Sequence, residues 1–302
     1  MNKQELFIQL VESLSTDTLF HGHAVVDAED EAMMVLMAVL DQNVDQILST
    51  GEQPISEKLI HQMNAIVTTR LQSLKPMAYI IGEVYFCGLK FIIDERALVP
   101  RSPIAEVILN GFKGLFDIHN MSRALDLCTG SGCIGIAMAQ HHSHLKVDIS
   151  DLSVDALNLA QKNIDFHQLN NRVTKIESDL FTNINESYDL IASNPPYVSE
   201  EEYQDLPEEY KQEPKMGLVT AQSGLSIPVN ILLQAPGYLK ANGFLILEVG
   251  YSDDLLAANF PEISFQWLEF SNGGQGVCIF SREMLLKYHA YFKAFLEEQN
   301  VL

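Results

Sequence analysis

Apolar residues recur every three or four positions through the first 75 residues. Leu6, Leu10 and Leu14 share one helical face, 32–40 is an unbroken apolar run, and 56–74 carries Leu59, Ile60, Met63, Ile66, Val67 and Leu71. Such spacing lines one side of a 3.6-residue turn and predicts helices. Pro76 ends this region, and 79–81, 84–87 and 89–93 follow as short runs broken by Gly82 and Gly88, which predicts extended segments in a hairpin. From residue 105 onward, compact apolar runs alternate with helical patterns. Strands are expected over 124–128, 146–150, 173–177, 188–193 and 244–249, with a helix over 154–169 capped by Ser153. Only the third of these strands is more polar. A last pair, 265–270 and 277–280, flanks Asn272-Gly273-Gly274-Gln275-Gly276, a turn signal that makes the sheet end antiparallel. Alternating strands and helices imply an α/β fold with helices on both faces of a mostly parallel sheet. Three units are expected: a helical N-terminal domain over 1–75, a β-hairpin linker over 76–104 and an α/β domain over 105–302.

Composition narrows the function. The chain has 302 residues, 47% of them apolar, with 19 basic and 40 acidic side chains and a formal charge of −21. That is enough apolar material for a packed core and too little charge density for a disordered acidic tail. The longest apolar run, 32–40, falls well short of the ~18 residues a membrane span needs. The first residues carry charges where a secretory signal has an apolar stretch, so a cytoplasmic protein without membrane contact is expected. Cys87, Cys128, Cys133 and Cys278 form no C-x-x-C pair and are expected as free thiols. His21, His23, His141, His142 and His144 lack partners at metal spacing, so surface positions and no metal are expected. The acidity also disfavours a nucleic-acid substrate, whose binding depends on basic side chains displacing counterions. It suits a basic partner or none.

The first chemical signal is 124–135, an apolar strand running through Gly130, Gly132 and Gly135 into a helix. A tight strand-to-helix turn of this kind needs glycine where a Cβ would block positive φ or the approach of a ligand to the backbone. Asp151 follows Gly130 by 21 residues at the end of the second strand, where a carboxylate can accept from both ribose hydroxyls. Asp126, just before the glycines, can support the amino-acid end of S-adenosylmethionine, or it can cap the turn. Asp151 can equally serve the N-terminus of the next helix. The glycine pattern alone also fits a nicotinamide-dinucleotide enzyme.

The second signal is Asn194-Pro195-Pro196-Tyr197, directly after the strand over 188–193. Two prolines fix φ and remove two backbone donors, which leaves a rigid, acceptor-rich corner. The Asn194 side-chain oxygen and the Pro195 carbonyl can accept both hydrogens of a planar amide or exocyclic amine, and Tyr197 can stack on its face. An amide nitrogen is a poor nucleophile, and two acceptors on its hydrogens stabilise the positive charge that develops as it is methylated. Downstream, Glu200, Glu201, Glu202, Asp205, Glu208, Glu209 and Glu213 form an acidic run interrupted by Lys211. It reads as a solvated face, or as a rim that attracts a basic substrate.

These motifs resemble the class I S-adenosylmethionine-dependent methyltransferases, and Asn194-Pro195-Pro196-Tyr197 narrows the resemblance to those acting on amide or exocyclic amine nitrogens. The segments 98–106, 125–133, 209–214 and 267–270 with Gly273-Gly274 are similar to the glutamine N5-methyltransferases of translation proteins, in particular the branch acting on the third protein of the large ribosomal subunit. The release-factor branch is its near relative. Ser102, Ile104, Cys128 and Cys133 favour the ribosomal-protein branch, whereas Val154 and Gln222-Ser223-Gly224-Leu225 depart from the common pattern. The resemblance implies a seven-stranded sheet with an antiparallel last strand, S-adenosyl-L-methionine as cofactor and a basic, large-subunit ribosomal protein as partner. It further implies that Thr129, Gly130, Ser131 and Gly132 line the methionine part, Asp151 the ribose and Asp179 the adenine region. Asn194, Pro195, Pro196 and Tyr197 would hold the glutamine, with Asn194 also near the cofactor, while Arg101 and Pro103 would wall the substrate entrance. Methylation of a release factor, adenine-N6 methylation of nucleic acid and a non-catalytic role in ribosome assembly are the alternatives.

Overall fold

The structure, a computed structural model, describes residues 1–22 and 25–299. It opens with helices α1 (Lys3–Leu14), α2 (Ala28–Leu40), α3 (Val44–Ser49), α4 (Glu57–Ser73) and α5 (Met77–Ile81). Asn2, Asp27, Asn43 and Ser56 start the first four by accepting hydrogen bonds from first-turn amides that have no partner within the helix. Leu6, Leu10, Leu14, Ala32, Val35, Leu36 and Met63 bury one another in a core separate from that of the sheet. Each leucine, valine or methionine side chain so removed from water contributes about 1.5–3 kcal/mol.

Helix α5 corrects the extended reading of 79–81. Pro76 stands at its start, and Gly82, at φ +83°, ends it by donating from its amide to the Ala78 carbonyl at 2.8 Å. The Tyr79 hydroxyl then donates to the Ala97 carbonyl at 2.6 Å, fixing this turn under the loop that follows the hairpin. That hairpin, β1 (Glu83–Phe86) and β2 (Leu89–Ile92), pairs antiparallel, and α6 (Ile104–Leu109) follows it.

Next come β3 (Arg123–Leu127), α7 (Cys133–His141), β4 (Lys146–Asp151), α8 (Val154–Phe166), β5 (Val173–Glu177) and β6 (Tyr188–Ser193). The chain continues through α9 (Glu200–Asp205), α10 (Lys215–Leu218), α11 (Ser226–Gln234), β7 (Leu239–Glu248) and α12 (Asp253–Asn259), and closes with β8 (Gln266–Trp267), β9 (Val277–Ser281) and α13 (Arg282–Gln299). Seven strands form one sheet in the order β5-β4-β3-β6-β7-β9-β8. The first five positions are parallel, and β9 runs antiparallel to both β7 and β8. The polarity of β5 follows from its place at the edge, where its outer side chains meet solvent. The strand expected over 265–270 shrinks to β8; the Leu268 amide still donates to the Val277 carbonyl, and beyond the expected strand the Ser271 and Asn272 amides donate to the Glu106 carboxylate.

Along β3, Ala124 packs on one face with α7 and α8, while Leu125 and Leu127 pack on the other with α11 and α13. Winding proceeds outward from β3 to β5, then resumes on its other side with β6. Open α/β sheets bind ligands where this reversal leaves a crevice at the carboxyl ends of the strands. His142, expected at the surface, is buried against the Phe112 ring; His21 lies beside Glu31, and His23 falls outside the described residues. All four cysteines are free. Among the described residues no helix is long and apolar enough to cross a membrane.

Candidate active site

A cavity opens at the carboxyl ends of β3, β4 and β6. Thr129, Gly130, Ser131, Asp151, Asp179, Asn194, Pro195, Pro196, Tyr197 and Arg101 all line it, although the sequence separates them widely. Its far wall is the loop over 96–102, which leaves the hairpin. Asn163 of α8 holds that hairpin in place. Its side chain accepts from the Ile92 amide at 2.7 Å and donates to the carbonyls of Ile92 and Ser131, tying β2 to the glycine turn.

The turn itself is built on left-handed backbone. Gly130 has φ +55°, and a Cβ there would stand 3.7 Å from the Ala97 methyl, between two cavity walls. Asp151 Oδ2 accepts from the Gly130 amide at 2.8 Å and its Oδ1 from the Ser153 amide at 2.8 Å. Burial raises the Asp151 pKa above the ordinary carboxylate value, and these two amides oppose the rise. The carboxylate therefore braces the turn and keeps lone pairs on the cavity side. Cys128 sits at φ +61° on the same wall. Burial, reinforced by the Asp151 charge, pushes its thiol up, so it stays neutral and is no nucleophile.

Three expected site residues stand behind the wall. Asp126 is fully buried and off the cavity; its Oδ2 accepts from the Thr129 hydroxyl and from the Gly135 amide at 2.8 Å. It braces the turn from inside. Gly132 begins α7 at φ +83°, where a Cβ would press on Ile136 and Ala160. Pro103 starts α6 and packs against Gly274. Gly132 and Pro103 thus shape the elements that carry the wall, away from its surface.

The Asn194-Pro195-Pro196-Tyr197 corner follows β6 directly. Among the described residues, no protein group hydrogen-bonds to the Asn194 side chain or the Pro195 carbonyl, so both acceptors are available to a ligand. Three glycines let neighbouring loops close on the corner. A Cβ on Gly224, at φ +87°, would lie 2.2 Å from the Tyr197 carbonyl oxygen, and one on Gly250, at φ +49°, would lie 2.6 Å from the Tyr197 ring. A Cβ on Gly276 would overlap the Gly250 carbonyl at 1.9 Å. The Ser252 hydroxyl donates to the Tyr197 carbonyl at 3.0 Å.

Glu248 is a site residue that motif reading misses. It ends β7, next to β6, where Leu247 is in register with Ser193, so it neighbours Asn194 at the strand ends. Its carboxyl is buried in the cavity wall that Tyr197 also lines, and it accepts from the Ser102 hydroxyl. Burial raises its pKa to about 7, against the opposing pull of Ser102, Arg101 and Tyr197. The one signal for it was an acidic residue inside the otherwise apolar strand over 244–249.

The acidic run divides. Glu200, Glu201, Glu202, Asp205 and Glu208 are exposed, as expected of a rim, but Glu209 and Glu213 are buried. Glu213 Oε2 accepts from the Val99 amide at 2.9 Å and from Arg101 Nη1 at 2.9 Å. These two carboxylates hold loops together and leave the rim to the other five.

The reversed winding, the glycine turn with a ribose-height carboxylate and the acceptor-rich corner define a class I S-adenosylmethionine-dependent methyltransferase. Models of known families agree: residues 109–210 match the methyltransferase small domain and residues 16–82 match the PrmC N-terminal domain. The ribosomal protein uL3 glutamine methyltransferase of Francisella tularensis subsp. tularensis is 39% identical over 297 residues, 95% of this chain and 92% of that one. The enzyme of the same name from Xanthomonas campestris pv. campestris is 42% identical over 260 residues, 86% and 84% of the two chains. The chain belongs to the ribosomal protein uL3 glutamine methyltransferase family. A solved structure of the hMettl16 catalytic domain in complex with MAT2A 3'UTR hairpin 6 shares the fold, with a TM-score of 0.51 at 14% identity over 75% of this chain and 82% of that one.

The residues present fit S-adenosylmethionine: glycine backbone for its amino-acid end, the Asp151 carboxylate for its ribose, and Leu152 and Leu180 flanking a flat base. Replacing Asp151 with alanine removes ribose acceptors and a brace of the turn. S-adenosylhomocysteine binding, measured by calorimetry, is expected to weaken by about 1 to 3 kcal/mol. Undiminished affinity would remove Asp151 from the cofactor site.

Proposed function

We propose that this protein methylates the side-chain amide nitrogen of a glutamine in ribosomal protein uL3, giving N5-methylglutamine and S-adenosylhomocysteine. The observation that carries this reading is the pair of uncommitted acceptors, Asn194 and Pro195, in a proline-stiffened corner beside the glycine turn. Bound S-adenosylmethionine supplies an electrophilic methyl group.

The protein's contribution is positioning and charge stabilisation. Asn194 Oδ1 and the Pro195 carbonyl each accept one hydrogen of the carboxamide, which turns the nitrogen lone pair toward the glycine turn. Because both acceptors are set in the folded chain, they stabilise the positive charge on nitrogen without reorganising. Holding both reactants in line contributes further through orientation. Tyr197 packs on the flat face of the amide, and the close approach of Gly250 to its ring and of the Ser252 hydroxyl to its carbonyl holds it in place. The extra amide proton becomes acidic as the new N–C bond forms and leaves to solvent afterwards, so no strong base is needed.

In this reading, residues 1–75 form a recognition domain, the 76–104 hairpin linker also supplies the loop that walls the cavity, and 105–302 is the catalytic domain. Five exposed carboxylates beside the corner attract a basic substrate protein, and the overall charge of −21 speaks against direct nucleic-acid binding. The reaction belongs in the cytoplasm. Incubating the protein with labelled methyl donor and a lysate from cells lacking the activity, then identifying the labelled polymer by mass spectrometry, tests the assignment. A methylated glutamine in uL3 is expected. Label in a release factor or in nucleic acid would overturn it.

A further inference from the structure

The helical N-terminal unit meets the rim of the cavity through buried charge. Arg70 of α4 is fully enclosed, with Glu31 of α2 and Glu209 of the 206–214 segment on either side, all at 3% side-chain exposure or less. Arg70 Nε donates to both Glu31 oxygens at 3.1 and 3.2 Å, and its Nη1 reaches Glu209 at 3.4 Å. Glu209 Oε1 also accepts from the Phe20 amide at 2.8 Å, and Arg70 Nη2 donates to the Phe20 carbonyl at 3.1 Å. Burying an arginine and two carboxyl groups together is unfavourable unless they are well paired. A surface loop that needed only to be solvated would not carry such an anchor.

The next residue continues the line toward the cavity. The Tyr210 ring packs on Phe20 at 5.6 Å and also meets the Arg101 guanidinium, 5.2 Å from the ring centroid. Arg101 and Val99 are in turn fastened to Glu213, four residues past Glu209, and both line the cavity. One short segment thus grips the N-terminal unit with Glu209 and the cavity wall with Glu213, and it holds Tyr210 between the two.

We infer that Glu209, through its pair with Arg70, is a positioning residue for the methyl acceptor. It transmits the placement of the N-terminal helices to the Tyr210–Arg101 wall and sets the entrance that the substrate glutamine must pass. The kinetic part of this inference rests on the glutamine-methylating reading above, and the structural part does not.

The test uses the full-length protein with Glu209→Gln, which keeps an acceptor for the Phe20 amide and removes the charge. The acceptor KM is expected to rise about tenfold, with kcat at saturating acceptor and S-adenosylhomocysteine affinity within twofold of the parent. A purely structural role would not split the constants this way. Hydrogen exchange at the Val99 amide, which Glu213 holds, should accelerate by about tenfold while the amides of β3 and β4 keep their protection. Tyr210→Leu interrupts the same line at the Arg101 guanidinium while leaving Arg70, Glu31 and Glu209 as they are, and it should reproduce both effects. An unchanged acceptor KM and unchanged Val99 exchange would overturn the inference. So would a parallel loss of cofactor affinity, which would mark general loosening. If the parent protein methylates no glutamine, the substrate reading fails, and Val99 exchange still decides the coupling.

Discussion

Asn194→Ala is expected to lower kcat by about 10²–10³-fold, the range seen when one preorganised charge-stabilising contact is removed from a water-excluded site. The loss should fall on kcat at saturating substrates, because the contact strengthens only as charge develops on the amide nitrogen. S-adenosylhomocysteine affinity should change by less than about twofold, since the glycine turn and Asp151 remain. The side chain makes no hydrogen bond within the described protein, so its removal leaves no group of the fold without a partner. Methylation assays paired with calorimetry separate the two constants. A variant that methylates at the parental rate would refute the clamp.

Gly224→Ala should do comparable damage from outside the motif. The new Cβ would stand 2.2 Å from the Tyr197 carbonyl oxygen, a backbone atom that cannot rotate away, and φ +87° adds strain. Either the 222–225 loop or the corner must move. Displacing the corner by even an ångström costs about 10²-fold in kcat/KM. Gly237→Ala is the control, because nothing lies within 4 Å of its Cβ position, and it should leave kcat/KM unchanged. Equal activity of the two variants would mean that the close approach of Gly224 to Tyr197 has no part in holding the corner.

What could be read from the sequence was local. Compact apolar runs located β3, β4, β6 and β7, and the glycine or proline that follows three of them located the glycine turn and the Asn194 corner, because strand, turn and motif are contiguous in the chain. Runs of three residues were less informative. Residues 79–81 carry strand-prone side chains, yet Pro76 and Gly82 bracket a helical turn that buries Tyr79. Charge was misread wherever its partner is remote: Glu209 meets Arg70 across 139 positions, Glu213 meets Arg101 across 112, and Glu248 meets Ser102 across 146. No periodicity encodes such pairs. Asp126, Gly132 and Pro103 belong to the right region but stand one layer back from the cavity surface, because a motif records which residues a turn requires and not which of them face the cavity. Gly250 carries no motif, Gly224 lies in the segment that departs from the family pattern, and the approach of Tyr197 reveals the purpose of both.

Methyl transfer at this corner requires the accepting amide to sit between Asn194 and Pro195. A crystal structure of the protein with S-adenosylhomocysteine and a glutamine-containing peptide of its substrate measures this directly. The carboxamide nitrogen is expected within hydrogen-bonding distance, about 2.7–3.2 Å, of both Asn194 Oδ1 and the Pro195 carbonyl, with the Tyr197 ring against its plane. A glutamine bound elsewhere in the cavity, with those two acceptors left to water, would contradict it.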